Sequence, residues 1–284
     1  MKALVLGASG MLGNAVMRVL EQGAEFQVYG TVRSENAKRL LPAGMAPRLI
    51  TGVDVEQADA LISVLRQVRP DVVVNCIGLV KQLADADDPL KAIPINSLLP
   101  HRLARLCDVA GARLVHMSTD CVFSGQKGMY LESDASDAQD LYGRTKYLGE
   151  VDYPNAITLR TSIIGHELAG AQGLINWFLS QRGEVKGFRC AIFSGLTTVE
   201  LAHVIRDQVL PRPDLRGVYH VSADPINKFD LLSLVAQVYQ KYIRITPDDV
   251  LVIDRSLDST RFRQATGYTP PAWKALLEKM HEFY

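Results

Sequence analysis

The sequence predicts an α/β fold in which helices cover both faces of a doubly wound parallel β-sheet. One indication is the apolar run of residues 2–6, which is typical of a parallel strand buried on both faces. A second is the alternation of such runs with helical patterns, notably residues 58–68 and 99–110. Since parallel neighbours are joined by right-handed crossovers, this alternation predicts a series of βαβ units.

The remaining elements follow in chain order. Further strands of the predicted sheet lie at residues 26–32, 47–53, 71–77, 112–117 and 156–161. Beyond residue 165 the pattern predicts helices at 174–181, 199–209, 229–240 and 270–283, and strands at 190–193 and 217–221. We therefore predict a first domain of residues 1–165 and a smaller C-terminal α/β lobe of residues 166–284, within which the chain can return to the first domain. A cleft between them is the expected ligand site.

Composition narrows the class of protein. Of the 284 residues, 48% are hydrophobic, and 31 basic residues balance 31 acidic ones. A neutral chain lacks the basic excess of a general nucleic-acid or membrane-surface binder, so neither partner is expected. The four cysteines show no metal-ligand or Cys-x-x-Cys spacing, and we expect reduced thiols, no metal and a cytoplasmic protein. They are Cys76, Cys107, Cys121 and Cys190.

A glycine-rich turn follows the first strand. Gly7, Gly10 and Gly13 open a helical pattern directly after residues 2–6. In this context glycines allow a tight turn, close approach of backbone N–H groups to a pyrophosphate, and close packing of the helix on the strand. The turn predicts a Rossmann-type dinucleotide site, which Ser9, Met11 and Leu12 would help to line.

The end of the second strand indicates which dinucleotide binds. Arg33 and Ser34 stand about twenty residues after Gly13, where an acidic residue would select NAD(H). An arginine there accommodates a 2′-phosphate, so the sequence favours NADP(H), with NAD(H) as the alternative. After the third strand, Asp54 and Val55 are expected near the adenine, although Asp54 could equally cap a helix.

A hydroxyl, a phenol and an amine form the candidate catalytic group. Thr119 ends a predicted strand, and Tyr142 and Lys146 are one helical turn apart. A lysine ammonium so close is expected to lower the pKa of the tyrosine and make it a usable proton donor. Alternatively, Tyr142 and Lys146 are an ordinary exposed pair, and Thr119 makes a local backbone hydrogen bond.

These motifs, taken together, resemble the extended short-chain dehydrogenases/reductases, and within them the dTDP-4-dehydrorhamnose reductase-like group. The resemblance extends over nearly the whole chain and is densest over residues 1–165. It is carried by the glycine turn, Asn75-Cys76-Ile77-Gly78, residues 118–125, Tyr130-x-Glu132-x-Asp134, residues 142–146, and Arg255 with Leu257-Asp258-Ser259.

The resemblance implies hydride transfer between a nicotinamide and a sugar carbon. Thr119 would bind the substrate carbonyl, Tyr142 would deliver the proton, and Lys146 would support Tyr142 and hold the nicotinamide ribose. Further cofactor contacts are expected from Asn75, Cys76, Ile77, Gly78 and Asn96, and Asn96 is also expected to help anchor the active-site helix. The other substrate contacts expected are Lys81, Asp120, Cys121, Asn176, Arg189 and Arg255. The resemblance also allows a homodimer.

The residue after Asp120 distinguishes the reactions that the family performs. Sugar dehydratases carry a glutamate there, and Cys121 leaves elimination without its base. The sequence therefore favours an NADP(H)-dependent reductase of a nucleotide-activated 4-keto-6-deoxy sugar. One alternative is an epimerase or epimerase/reductase that uses Cys121 and His166. A second is a non-catalytic NADP-binding regulatory subunit.

Overall fold

Strands and helices alternate from the N-terminus in the computed structural model, which describes residues 1–80 and 87–284. The strands are β1 (Lys2–Leu6), β2 (Gln27–Val32), β3 (Leu49–Thr51), β4 (Val72–Asn75), β5 (Arg113–Thr119), β6 (Ala156–Thr161), β7 (Ile163–Ile164), β8 (Glu184–Phe188), β9 (Ala191–Phe193), β10 (Leu196–Thr197), β11 (Gly217–His220), β12 (Ile226–Asn227), β13 (Arg244–Asp248) and β14 (Ile253–Asp254).

The helices connect these strands. They are α1 (Met11–Glu21), α2 (Glu35–Lys38), α3 (Ala58–Val68), α4 (Pro89–Ala92), α5 (Leu99–Ala110), α6 (Leu141–Leu148), α7 (Leu174–Ser180), α8 (Thr198–Val204), α9 (Lys228–Val238), α10 (Thr260–Thr266) and α11 (Trp273–Phe283). Short 3₁₀ or π-helical turns lie at Ala43–Arg48, Ile93–Leu98, Asp120–Val122 and Ile205–Val209. Among the described helices, none combines the length and the apolar character needed to cross a lipid bilayer.

Seven strands form the central parallel sheet, in the order β3-β2-β1-β4-β5-β6-β11. Its inner strands are buried, which explains their apolar composition. The order reverses between β1 and β4, and ligands of open α/β sheets bind beyond the carboxyl ends of strands at such a point. The predicted α/β, doubly wound fold is confirmed.

The C-terminal part of the chain builds both on this sheet and beside it. β11 pairs in parallel with β6 as the seventh strand, and α8 packs against α1. Outside the sheet, β9 is the middle strand of a small three-stranded sheet, with β12 antiparallel on one side and β14 parallel on the other. The chain thus returns to the first domain after residue 165, while the two-domain division itself stays a prediction.

Most predicted elements are present with small shifts at their ends. The third strand is shorter than the prediction of residues 47–53, because residues 43–48 form a 3₁₀ turn. The sequence did not indicate β8, β13 or α10. β8 reads Glu-Val-Lys-Gly-Phe and alternates exposed with buried residues, and it is paired only with β13, about sixty residues later in the chain.

Candidate active site

The glycine turn is shaped by contacts that exclude side chains. Gly7 has a φ of +80°, in the left-handed region that favours glycine. A Cβ on Gly13 would lie 2.1 Å from the carbonyl oxygen of Gly7, and one on Gly7 would lie 2.9 Å from Ile77 Cγ1. Ser9 and Met11 are partly exposed at the turn, whereas Leu12 is buried in the core. This cradle fits a pyrophosphate approached by backbone N–H groups at the start of α1.

Of the four residues predicted to lie at the adenosine half of the cofactor, three are exposed and one is buried. Arg33 is exposed directly after β2, and the hydroxyl of Ser34 caps α2 by accepting a hydrogen bond from Ala37 N at 3.2 Å. Asp54 is exposed and accepts a hydrogen bond from Glu56 N at 3.0 Å, in the turn that precedes α3. Val55 is buried. Asp54 therefore shapes a turn and is not the helix N-cap, which is Gln57.

The segment at the end of β4, residues 75–78, is stabilised by hydrogen bonds of the Asn75 side chain. Asn75 Oδ1 accepts a hydrogen bond from Ile77 N at 3.1 Å, and Asn75 Nδ2 lies 3.1 Å from His116 Nδ1. Burial raises the pKa of the Cys76 thiol to about 12, so that it stays protonated. A Cβ on Gly78 would lie 3.9 Å from Lys146 Nζ, which places this segment beside the candidate catalytic lysine.

Asn96 contacts α6, as expected of a residue that anchors the active-site helix, and its cofactor contact stays a prediction. It lies in the π-helical turn before α5, and its amide clamps the chain at Leu79 through hydrogen bonds of 2.8 Å to Leu79 N and 3.0 Å to Leu79 O. Asn96 Nδ2 also lies 3.3 Å from Thr145 Oγ1. These contacts use the buried amide to fix α6 against the segment after β4. Lys81, predicted to contact the substrate, lies outside the described residues.

Thr119, Tyr142 and Lys146 are brought together at the carboxyl end of β5. Thr119 Oγ1 donates to Asp120 Oδ1 at 3.0 Å and accepts from Cys121 N at 3.1 Å, and Tyr142 also hydrogen-bonds with Thr119. The close approach of α6 depends on Gly143, since a Cβ there would lie 2.2 Å from the carbonyl oxygen of Cys121.

The electrostatics of this group differ from the prediction. Lys146 Nζ donates to the carbonyl oxygen of Met117 at 2.6 Å, and burial lowers the pKa of Lys146 to about 8. Burial also raises the pKa of Tyr142, and the neighbouring Cys121 raises it further, while the hydrogen bond with Thr119 lowers it. The net lowering predicted for the Tyr142 pKa is wrong, because burial, which disfavours the tyrosinate, is the dominant effect.

A buried ion pair beneath the site was not predicted. Glu150 and Arg160 form a bidentate pair, with Nε–Oε1 and Nη2–Oε2 distances of 2.7 and 2.6 Å. Ser118 Oγ donates to Glu150 Oε1 at 2.6 Å, and Glu150 raises the pKa of Lys146. The spacing from Lys146 could have drawn attention to Glu150, but no local pattern indicated its partner Arg160, which lies on β6.

Asp120, Cys121 and Arg255, which are predicted to contact the substrate, interact with one another beside Thr119. Burial raises the pKa of Asp120, while the hydrogen bond from Thr119 and the charges of Arg255 and Lys228 lower it. Arg255 Nε donates to the carbonyl oxygen of Phe123 at 2.8 Å, and Arg255 Nη1 lies 3.9 Å from Cys121 Sγ. Lys228, which no sequence motif singled out, therefore belongs to this group of charges.

Asn176 and Arg189, predicted to contact the substrate, are engaged elsewhere. Asn176 Oδ1 accepts a hydrogen bond from Glu167 N at 3.1 Å, and its Nδ2 donates to the carbonyl oxygen of Gly170 at 3.3 Å, so the amide braces a loop. Arg189 is exposed and forms a bidentate pair with Asp249. The structure gives both residues internal partners that the sequence could not indicate.

His166, the second residue of the predicted epimerase pair, lies in an aromatic cluster. Its Nε2 is 2.7 Å from the hydroxyl of Tyr239, and its ring centroid is 4.9 Å from that of Tyr284. Burial lowers the pKa of His166. These contacts pair His166 with residues of α9 and the C-terminus, whereas the neighbours of Cys121 are Arg255 and the catalytic group.

The chain is similar to a known protein family and to several individual proteins. The family model described as RmlD substrate binding domain matches residues 1–283. The chain is 31% identical over 216 residues to a probable low-salt glycan biosynthesis reductase of Haloferax volcanii, a match that covers 74% of the chain and 65% of that protein. It is 23% identical over 307 residues to the dTDP-4-dehydrorhamnose reductase of Aggregatibacter actinomycetemcomitans, with 99% of both chains covered.

Two further similarities are to a protein with a different name and to a solved crystal structure. The beta subunit of methionine adenosyltransferase 2 from Danio rerio is 27% identical, and the match covers 84% of this chain and 74% of that protein. A crystal structure of dTDP-4-dehydrorhamnose reductase from Bacillus anthracis, in complex with NADP, superposes with a TM-score of 0.80 at 22% identity. That superposition covers 100% of this chain and 98% of the other.

Proposed function

The chain belongs to the RmlD substrate-binding-domain family, and from this premise we propose that it is an NADP(H)-dependent reductase of a nucleotide-activated 4-keto-6-deoxy sugar. Such a dTDP-4-dehydrorhamnose reductase-like enzyme would serve deoxysugar and cell-surface glycan synthesis. The observation that carries the proposal is the meeting of Thr119, Tyr142 and Lys146 at the end of β5. The names of the Haloferax and Aggregatibacter relatives support it.

The cofactor would be held by the glycine turn and the end of β2. Gly7 and Gly13 leave room for a pyrophosphate, and exposed Arg33 would pair with a 2′-phosphate, for which a guanidinium fork is suited. When bound, NADPH supplies the hydride for a two-electron reduction of the ketone. The NADP complex of the Bacillus relative supports this choice of cofactor.

The protein groups would supply orientation and the proton. Thr119 would turn its hydroxyl to the C4 ketone oxygen, where negative charge develops. Tyr142, whose pKa is raised by burial, stays protonated at neutral pH and can donate its proton to that oxygen. Lys146, positively charged below pH about 8, would stabilise the tyrosinate left behind.

Other reactions of the family fit these residues less well. Elimination needs a base at the position where this chain has Cys121. Epimerisation by Cys121 would need a second proton-transfer group, and His166 is engaged with Tyr239. Reduction requires only the groups already assembled around Thr119.

The decisive experiment is a screen of NADPH oxidation with the dTDP-, UDP- and GDP-linked 4-keto sugars, with the product stereochemistry read by NMR. We expect turnover with one nucleotide series. In parallel, Arg33→Ala should weaken NADPH about tenfold and NADH little, as the loss of one phosphate contact implies. Exposed Arg39 provides the matched control, Arg39→Ala. NADPH binding without turnover on any sugar would instead identify a non-catalytic NADP-binding subunit.

We also propose a homodimer in the cytoplasm. Leu90, Ile93, Leu98 and Leu148 are exposed, and the elements that carry them, α4, the π-helical turn and α6, pack together. These apolar side chains would meet the second subunit. Light scattering should give twice the mass of the chain, and Leu148→Glu should give a monomer. The free cysteines agree with a reducing compartment.

A further inference from the structure

The small sheet of β12, β9 and β14 carries two cationic side chains toward the catalytic loop. β12 pairs with β9 so that Ile226 lies opposite Phe193, and Lys228 follows directly after this strand. β14 pairs with the other edge of β9, and Arg255 follows it in the same way. Both edge strands therefore end in a cation, and both cations act on the carboxyl group of Asp120.

The two cations differ in what holds them. Arg255 is fixed by its hydrogen bond to the carbonyl oxygen of Phe123 and by its approach to Cys121 Sγ. Lys228 Nζ lies 4.1 Å from the centroid of the Phe193 ring, where a cation is attracted to the ring face. Within residues 1–80 and 87–284, no oxygen accepts a hydrogen bond from this ammonium and no carboxylate lies within 4.0 Å of it.

A partly buried ammonium without an acceptor retains its capacity to donate three hydrogen bonds. Burial lowers the pKa of Lys228 to about 8, while Asp120 and Cys121 raise it, so the amine is mainly protonated at neutral pH. Lys228 and Arg255 both act on Asp120, and Arg255 also acts on the carboxylate of Asp137. The ammonium of Lys228, which has no carboxylate within 4.0 Å among the described residues, therefore remains able to bind an anionic oxygen near Asp120.

We propose that Lys228 is a specificity-determining residue whose ammonium binds an anionic oxygen of the sugar nucleotide. This inference rests on the proposed function and names the group by which the same site recognises its substrate. The oxygen belongs either to the diphosphate or to a carboxylate on the sugar. The sequence had not indicated Lys228, and the substrate contact that it predicted for Arg189, whose exposed guanidinium is paired with Asp249, stays a prediction.

The test measures ligand binding by calorimetry on the full-length protein. The ligands are dTDP, dTDP-glucose, UDP, UDP-glucose, UDP-glucuronic acid, GDP and GDP-mannose, with NADPH as the ligand that should not respond. Lys228→Met removes the charge, Lys228→Gln removes it while keeping a polar group, and Lys228→Arg retains it. Lys186→Met is the matched control, since Lys186 is an exposed lysine of the same lobe paired with Asp248.

We expect Lys228→Met and Lys228→Gln to weaken sugar-nucleotide binding by about tenfold or more, as for a lost charge-assisted hydrogen bond. Lys228→Arg should stay much closer to the wild type, and neither Lys186→Met nor NADPH binding should change. An equal loss for UDP and UDP-glucose assigns the contact to the diphosphate. A loss confined to UDP-glucuronic acid assigns it to a sugar carboxylate.

Other outcomes overturn the proposal in distinguishable ways. If the folded neutral variants bind every nucleotide as the wild type does, Lys228 has no role in recognition, whatever the reaction. If the wild type itself binds none of these ligands, the sugar-nucleotide function and the role of Lys228 fail together. Binding that depends on Lys228, without reduction of any 4-keto sugar, would overturn the reductase proposal alone. Near-UV circular dichroism identifies which of the two neutral variants is folded and can be used.

Discussion

The catalytic segment between β5 and α6 and the small sheet of β12, β9 and β14 contribute to the site in different ways. Thr119, Tyr142 and Lys146 lie within 28 residues of one another, and each is held by the main chain of the central sheet or by its neighbours. The small sheet assembles three strands that are far apart in the chain to position Lys228 and Arg255. The candidate catalytic residues are thus close together in the sequence, whereas the proposed recognition residue is positioned by long-range strand pairing.

The largest expected effect is in the catalytic segment. Tyr142→Phe should lower kcat about 10²- to 10⁴-fold, because it removes the proposed general acid. NADPH affinity, measured by fluorescence titration, should remain close to that of the wild type. The control is Tyr147→Phe, an exposed tyrosine on the same helix. Activity retained by Tyr142→Phe would eliminate the proposed role in proton transfer.

The next largest effect tests the glycine turn. Gly13→Ala places a Cβ 2.1 Å from the carbonyl oxygen of Gly7, so the turn must move. Such a shift should lower kcat/KM roughly 100-fold, as a displacement of about 1 Å does, with a matching loss of NADPH affinity. Gly44→Ala is the control, because a Cβ there meets nothing within 4 Å. Equal NADPH affinity in the two variants would contradict a cofactor site at this turn.

A third variant tests the ion pair beneath the catalytic segment. Glu150→Gln leaves the charge of Arg160 buried and unpaired, which should cost about 3–5 kcal/mol in the free energy of unfolding by denaturant titration. Glu278→Gln, in an exposed pair with Lys274, should cost little. A small loss at Glu150 would indicate that the pair is not essential to the fold.

The same variant should change the pH dependence of activity. Glu150 raises the pKa of Lys146, which burial has lowered to about 8, so its removal should lower that pKa further. The basic limb of kcat/KM against pH should therefore move to lower pH. Because the pKa of lysine in the unfolded chain is ~10.4, the stability cost of burying charged Lys146 is complete below pH about 8 and disappears as the pH rises from about 8 toward ~10.4. An unmoved basic limb would show that Lys146 does not control it.

The smallest expected effect concerns Cys121, at the boundary between the two regions. Cys121→Ser should change kcat by less than about threefold, well under 1 kcal/mol in the barrier. The reason is that reduction at C4 needs no acid or base at this position. Product formed in D₂O should carry no deuterium on the carbons beside C4. Deuterium at those carbons in the wild type, lost in Cys121→Ser, would instead reveal an epimerase.

Local sequence patterns were sufficient to predict those features whose residues lie close together in the chain. Glycine spacing directly after β1 predicted the turn, and one-turn spacing predicted that Tyr142 and Lys146 share a face of α6. The pKa of Tyr142 could not be predicted in this way. It depends on burial and on Cys121, and Lys146 is bound to a backbone carbonyl that the helix pattern does not include.

The sequence by itself determined the class of fold, the dinucleotide turn and the three catalytic candidates, because each follows from periodicity or from spacing within a few helical turns. Only the tertiary structure decided which polar side chains are available to a ligand. Asn176 and Arg189 form contacts with Glu167 and Asp249, while in the part of the chain that the structure describes no oxygen accepts a hydrogen bond from the Lys228 ammonium. Arg189 meets Asp249 where β8 pairs with β13. Lys228 reaches Phe193 where β12 pairs with β9, and no local pattern contains these long-range pairings.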